Sequence, residues 1–171
     1  MFISVLIPCY NEKNTVEEIV SRINNLSNLD IEIIIIDDCS NDGTREILKD
    51  KIKDKVSKII YNETNHGKGY SLKKGIDAAN GEIILIQDAD LEYNPKEYYK
   101  LIRPILDGNA DVVYGSRFIG GDERRILFFW HTVANKVLTL LSNMFTNLNL
   151  TDMETCYKVF TKELIKKVDL R

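Results

Sequence analysis

Apolar residues fall into two kinds of run along this chain. Ile3–Ile7 and Ile31–Ile36 are short, continuous and rich in β-branched residues, the pattern of strands covered on both faces of a parallel sheet. Ser57–Tyr61, Ile83–Gln87 and Asp111–Tyr114 read as three further strands. Between the first two, Val16, Ile19, Val20, Ile23 and Leu26 recur at helical spacing, and Thr15-x-x-Glu18 has the form of a capping box. Asp42-Gly43-Thr44 is expected to open a second helix with Ile47 and Leu48 on its core face. Leu72, Ile76 and Ala79 mark another, and Asn94-Pro95 and Gly108 bracket a further one. The alternation predicts an α/β fold, a mostly parallel sheet with helices on both faces and right-handed crossovers. In such sheets ligands bind beyond the carboxyl ends of the strands, so the loops just after each strand carry the candidate chemistry.

Residues 126–150 differ. Ile126-Leu127-Phe128-Phe129-Trp130 is followed by Val133, Val137, Leu140, Leu141, Met144 and Leu148, spaced for one helical face. His131, Asn135, Lys136 and Asn143 interrupt the run, which makes it a poor membrane span. An amphipathic helix near 126–148 follows, either packed in the core or lying on a bilayer surface, and an apolar stripe taken alone favours the core. A last helix is expected from Thr161, with Leu164, Ile165 and Val168 on one side.

Composition narrows the classes. At 171 residues, 44% apolar and 29% charged, the chain has the balance of one globular domain. A net charge of -3 gives no support to nucleic acid as the main partner. Cys9, Cys39 and Cys156 are odd in number, far apart and without a CxxC pair, which suggests neither a disulfide framework nor a zinc site and fits a reducing compartment. The first strand starts almost at once and leaves no room for a signal peptide. Asn62-Glu63-Thr64 and Asn149-Leu150-Thr151 are therefore expected to be chance sequons.

After the first strand, Pro8-Cys9-Tyr10-Asn11-Glu12 offers neither GxGxxG nor GxxxxGK[ST]. A bound nucleotide would need side chains and a cation instead of a glycine-rich cradle. Asp37-Asp38 ends the second strand, where an acid either accepts hydrogen bonds from a base or ribose or joins Ser40, Asn41 and Asp42 in capping the next helix. Asp88-Ala89-Asp90-Leu91-Glu92 is the sharpest signal. If the segment stays extended, Asp88, Asp90 and Glu92 share one side and would repel one another unless a hard cation such as Mg²⁺ or Mn²⁺ joined them to substrate phosphates. Gly67-Lys68-Gly69 and Arg117 are placed to meet an anion. The stretch from Ile119 to Arg125 has the composition of a loop. Asp152 and Glu154 follow the long apolar helix, either as a base or as caps for the next element.

Together Ile7–Glu12, Asp37–Thr44, Asn65–Gly69, Gln87–Glu92, Gly115–Phe118 and Leu150–Lys158 resemble the motifs of family-2 glycosyltransferases of the GT-A fold, in the family's order and over nearly the whole chain. More closely they resemble the dolichyl- or polyprenyl-phosphate sugar synthases. The resemblance implies a GT-A (Rossmann-like) domain in which Pro8, Tyr10, Glu12, Asp38, Lys68 and Asp88 line the nucleotide-sugar pocket. It implies Mg²⁺ or Mn²⁺ at Asp88, Asp90 and Glu92, Arg117 and Arg125 on acceptor or donor phosphates, and Asp152 with Arg117 as catalytic groups. The implied reaction is inverting transfer from a UDP- or GDP-sugar to a polyprenyl phosphate at the cytoplasmic face of a membrane. It also raises the bilayer-surface reading of residues 126–148. Transfer to a saccharide hydroxyl, with Asp152 as base, and a non-catalytic nucleotide-binding module are the alternatives. Members of the family usually continue beyond the point where this chain stops. The expectation is a single GT-A domain lacking its usual C-terminal portion, with a separate membrane protein as a candidate partner. The absence of QxxRW argues against the processive synthases.

Overall fold

The computed structural model describes residues 1–118 and 129–168. Six strands, β1 (Phe2–Cys9), β2 (Asp30–Asp37), β3 (Lys58–Tyr61), β4 (Ile83–Ile86), β5 (Val112–Tyr114) and β6 (Lys158–Thr161), form one sheet in the order β3-β2-β1-β4-β6-β5. The first four pair in parallel, while β6 runs antiparallel to both β4 and β5. The mostly parallel α/β expectation holds. The sixth strand is an addition: Lys158-Val159-Phe160-Thr161 is too short and too mixed to stand out from the helix start beside it.

Helices cover both faces. Ile3, Val5 and Ile7 of β1 pack with Ile33, Ile35, Ile83 and Leu85 against α1 (Val16–Asn24) and α4 (Tyr98–Leu106). Residues on the other side of the pleat, Leu6, Ile34, Ile36 and Ile84, pack against α3 (Lys68–Ala78) and α6 (Lys162–Ile165). Burial on both faces is why the strands read as continuous apolar runs. A further helix, α2 (Thr44–Ile47), continues as a π turn over Leu48–Ile52, which buries Leu48 and Ile52.

Two local expectations are corrected. The capping box does not form: the Thr15 hydroxyl donates to the Glu12 carboxylate at 2.6 Å, and Glu18 accepts instead from Arg22 one turn on. The long helix α5 (Phe129–Thr146) is amphipathic as expected but not a core helix. Its buried residues are Asn135 and Thr139, whereas Val133, Val137, Leu140, Leu141 and Met144 face solvent. Among the described residues no helix is long and apolar enough to cross a membrane.

Candidate active site

Because β1, β2, β3 and β4 are parallel, the loops after them gather at one edge of the sheet. The antiparallel β6 brings the loop that precedes it, residues 152–157, to that same edge, since Lys158 pairs with Tyr114 at the end of β5. A loop before a strand is invisible to the rule that looks only after strands, which is why Thr155 and Lys158 received no role from the sequence. Gly115 permits this junction: a Cβ there would sit 2.9 Å from the Cβ of Tyr157.

The strand-end loops hold one another in place. Asn11 donates its backbone N–H to Ser40 Oγ at 2.9 Å and accepts from the Asn41 N–H at 2.9 Å, and the Glu12 N–H donates to Thr44 Oγ1. Of the paired acids after β2, Asp37 is buried against Arg45, with Nε 2.6 Å from Oδ2. Asp38 accepts from Asn62 Nδ2 at 2.8 Å and from the backbone N–H groups of His66 and Gly67, the latter at 2.7 Å. Burial alone would raise the Asp38 pKa, but these hydrogen bonds outweigh it and hold the carboxyl below its ordinary range. Gly67, at φ +87°, opens α3 and turns its N–H onto that carboxylate. Asn62, the residue of the first sequon, is itself buried on Asp38, so its amide is not open to glycosylation in the folded protein.

Two cavities lie side by side at this edge. One, of about 520 Å³, is lined by Pro8, Tyr10, Glu12, Asp38, Lys68, Asp88 and Asp90, among others. The six residues expected to hold a nucleotide sugar thus share one cavity. The second, of about 560 Å³, is lined by Glu92, Tyr93, Tyr114, Arg117, Thr155 and Lys158, and it shares Lys68 and Asp88 with the first. Lys68 Nζ lies 2.6 Å from Asp88 Oδ1, so this ion pair stands at the junction. Burial would depress the lysine, but the Asp88 contact prevails and raises its pKa.

The three carboxylates after β4 do not form the expected one-sided row. The chain leaves extended geometry after Ile86 and turns, with Leu91 left-handed at φ 63° and the Asp90 carboxylate accepting from the Glu92 N–H at 3.0 Å. Asp88 is engaged by Lys68, and among the described residues no group of three or more potential ligands converges on a metal position. The physical reason is the turn: alternation of side chains requires extended backbone. Asp90, although exposed, is raised above the ordinary carboxylate range by partial loss of water, then by the charges of Asp88 and Glu92.

Asp152 sits behind the second cavity, 1% exposed. Arg117 grips it with Nε at 2.8 Å, one Nη at 2.9 Å and its own backbone N–H at 3.0 Å. Burial would raise the Asp152 pKa, yet the Arg117 hydrogen bonds hold it below normal. Both oxygens are occupied and the charged form is favoured. Arg125 lies outside the described residues.

A mostly parallel sheet with two cavities side by side beyond its strand ends fits the GT-A fold. The chain belongs to glycosyl transferase family 2, whose family model, Glycosyl transferase family 2, matches residues 4–169. It is 34% identical over 137 residues to a dolichol-phosphate mannosyltransferase of Pyrococcus furiosus, covering 80% of this chain and 39% of that protein. It is 28% identical to a polyprenol monophosphomannose synthase of Mycolicibacterium smegmatis, covering 97% of this chain and 64% of the relative. A crystal structure of glucosyl-3-phosphoglycerate synthase from Mycobacterium tuberculosis, in complex with Mn²⁺, UDP and glucosyl-3-phosphoglycerate, superposes with a TM-score of 0.75 at 21% identity, covering 98% of this chain and 59% of that one. The chain therefore spans 39% to 64% of the length of these curated relatives.

Proposed function

We propose that this chain is the catalytic domain of an inverting hexosyltransferase that moves a sugar from a nucleoside-diphosphate sugar to a polyprenyl phosphate. The observation that carries the reading is the pair of cavities meeting at Lys68 and Asp88. Pro8, Tyr10, Glu12 and Asp38 suit a nucleoside, while Arg117 and Lys158 suit an anionic acceptor beside it. The names of the relatives, which are mannosyl transferases to dolichol and polyprenol phosphates, point the same way.

The chemistry needs no general base. A phosphate monoester has a second pKa near ~6 and is largely dianionic at neutral pH. Its oxygen attacks the anomeric carbon opposite the leaving group, the bond from that carbon to the diphosphate oxygen breaks, and nucleoside diphosphate departs with the electron pair. Lys68 and Arg117 are the cations beside the growing charge, and Asp152 keeps Arg117 in position. The alternative hydroxyl acceptor would require a base, and Asp152 is poorly suited because Arg117 occupies both its oxygens.

A divalent cation fits as a substrate-completed site. Asp90 is a hard oxygen donor short of positive charge, with Asp88 and Glu92 nearby. One or two carboxylates commonly suffice when substrate phosphates supply the remaining ligands, so a site here does not require the three-ligand group that is absent among the described residues. Mg²⁺ or Mn²⁺ bound there would neutralise the leaving diphosphate.

The outward apolar stripe of α5 is suited to a membrane surface that carries the lipid acceptor. Asn143 on the opposite stripe clamps the loop leading to the site, accepting from the Leu150 N–H at 2.9 Å and donating to its carbonyl at 2.7 Å. A helix seated on lipid would thus hold the acceptor cavity close to the headgroups. Thermal unfolding with UDP- and GDP-sugars, each with and without Mn²⁺, tests the donor half of the reading. Stabilisation that requires both nucleotide and metal, and that Asp90→Ala removes, is expected; stabilisation indifferent to metal would refute the cation assignment.

A further inference from the structure

We propose that Lys158 and Thr155 form the subsite for the acceptor's phosphate monoester, with Lys158 as its counter-charge and the Thr155 hydroxyl as a hydrogen-bond partner. The inference rests on the lipid-phosphate reading above and assigns two residues that sequence motifs left without a role.

Three cations line the second cavity, and two are already engaged. Lys68 pairs with Asp88 at 2.6 Å and Arg117 with Asp152 at 2.8 Å. Lys158 makes no ion pair among the described residues; its ammonium lies 5.3 Å over the Tyr114 ring. Such a contact steadies an ammonium without neutralising it. Burial first, and the neighbouring charge of Lys68 second, lower the Lys158 pKa, while Glu154 and Asp88 offset this only in part. A half-buried cation next to another cation is short of negative charge, and a dianionic phosphate supplies it.

The Thr155 hydroxyl is the independent observation. The residue is fully buried, lines the same cavity, and its Oγ1 is the buried side-chain polar atom left without a hydrogen-bond partner among the described residues. The Tyr93 hydroxyl, which accepts from the Cys156 N–H at 3.1 Å, is close enough for the Thr155 hydroxyl to lower its pKa, but no hydrogen bond of normal geometry joins the two. A buried unpaired hydroxyl is unfavourable and is commonly completed by a ligand or water. Both residues belong to the segment that antiparallel β6 brings to the site edge. A phosphate there lies one ion pair away from the donor cavity, as attack on the donor's anomeric carbon demands.

Calorimetric binding of farnesyl phosphate and of inorganic phosphate to the UDP- or GDP-loaded protein with Mn²⁺ tests the assignment. Lys158→Gln is expected to weaken both ligands about tenfold or more, Thr155→Val to weaken them several-fold, and Lys158→Arg to restore most of the loss, with nucleotide affinity little changed in each. Unchanged phosphate binding in Lys158→Gln, no phosphate binding by the parent protein, or an equal loss of nucleotide binding would each overturn it. Initial rates separate this inference from the functional reading. Phosphate binding through Lys158 without any sugar transfer to farnesyl phosphate would reject the reading and keep the subsite. Transfer with an acceptor KM indifferent to Lys158→Gln would keep the reading and reject the subsite.

Discussion

Helices α1 and α5 carry the same kind of apolar stripe and use it in opposite ways. In α1 the stripe of Val16, Ile19, Val20 and Ile23 is buried to within 1% exposure. In α5 the interior stripe is polar, built on Asn135, Thr139 and Asn143, while Trp130, Met144 and Phe145 are 75%, 70% and 87% exposed. Helical periodicity says which residues share a face but not which face is inside. That second choice is made by what the neighbouring chain presents. Opposite α1 lie Ile3, Val5 and Ile33; opposite α5 lies a loop whose backbone needs partners, including the Met153 N–H that donates to Thr139 Oγ1 at 3.1 Å.

The contrast can be broken from either side. Ile19→Ala in α1 opens a cavity in the core and should cost about 2–5 kcal/mol in denaturant unfolding. Asn143→Ala in α5 strips both Leu150 backbone groups of their partner and should cost about 1–3 kcal/mol, from a position that a core-helix reading would treat as solvent-facing. Acid unfolding sharpens the picture beneath that polar face. The Asp152 carboxyl is lowered in the folded state, so its contribution is present above the unfolded pKa of about 3.9 and disappears as pH falls through the lower folded value. Asp152→Asn should flatten that acid limb in a pH series of midpoint measurements. The smallest stability effect is expected for Phe145→Ser with Trp130→Ser, within about 0.5 kcal/mol per site, accompanied by loss of cosedimentation with anionic lipid vesicles. Retained vesicle binding would remove the membrane role from α5.

Much of this molecule was legible in its residues, for identifiable reasons. Ile3–Ile7 and Ile31–Ile36 announce themselves because both faces are buried, and Pro8, Tyr10, Glu12 and Asp38 of the first cavity lie at or just beyond the ends of those strands. Lys158–Thr161 did not, since a four-residue strand beside a helix start leaves almost no periodicity to read. Its antiparallel direction in turn hid Thr155 and Lys158. The acidic run after β4 misled in geometry: Leu91 turns the chain, which residue identity alone did not foretell. Asp152 was singled out as a candidate acid, and the structure pairs it with Arg117, 35 positions away in sequence, a partnership that local spacing does not reveal.

The proposed function requires sugar to pass from the first cavity to a lipid phosphate across the Lys68–Asp88 junction. The direct measurement is transfer of labelled sugar from UDP-glucose or GDP-mannose to farnesyl phosphate, with Mn²⁺, read as an acid-labile lipid-linked product of inverted configuration. That product is expected, sharply reduced by Lys68→Met or Arg117→Ala. Transfer only to a saccharide hydroxyl, or a product that retains the donor's configuration, would contradict it.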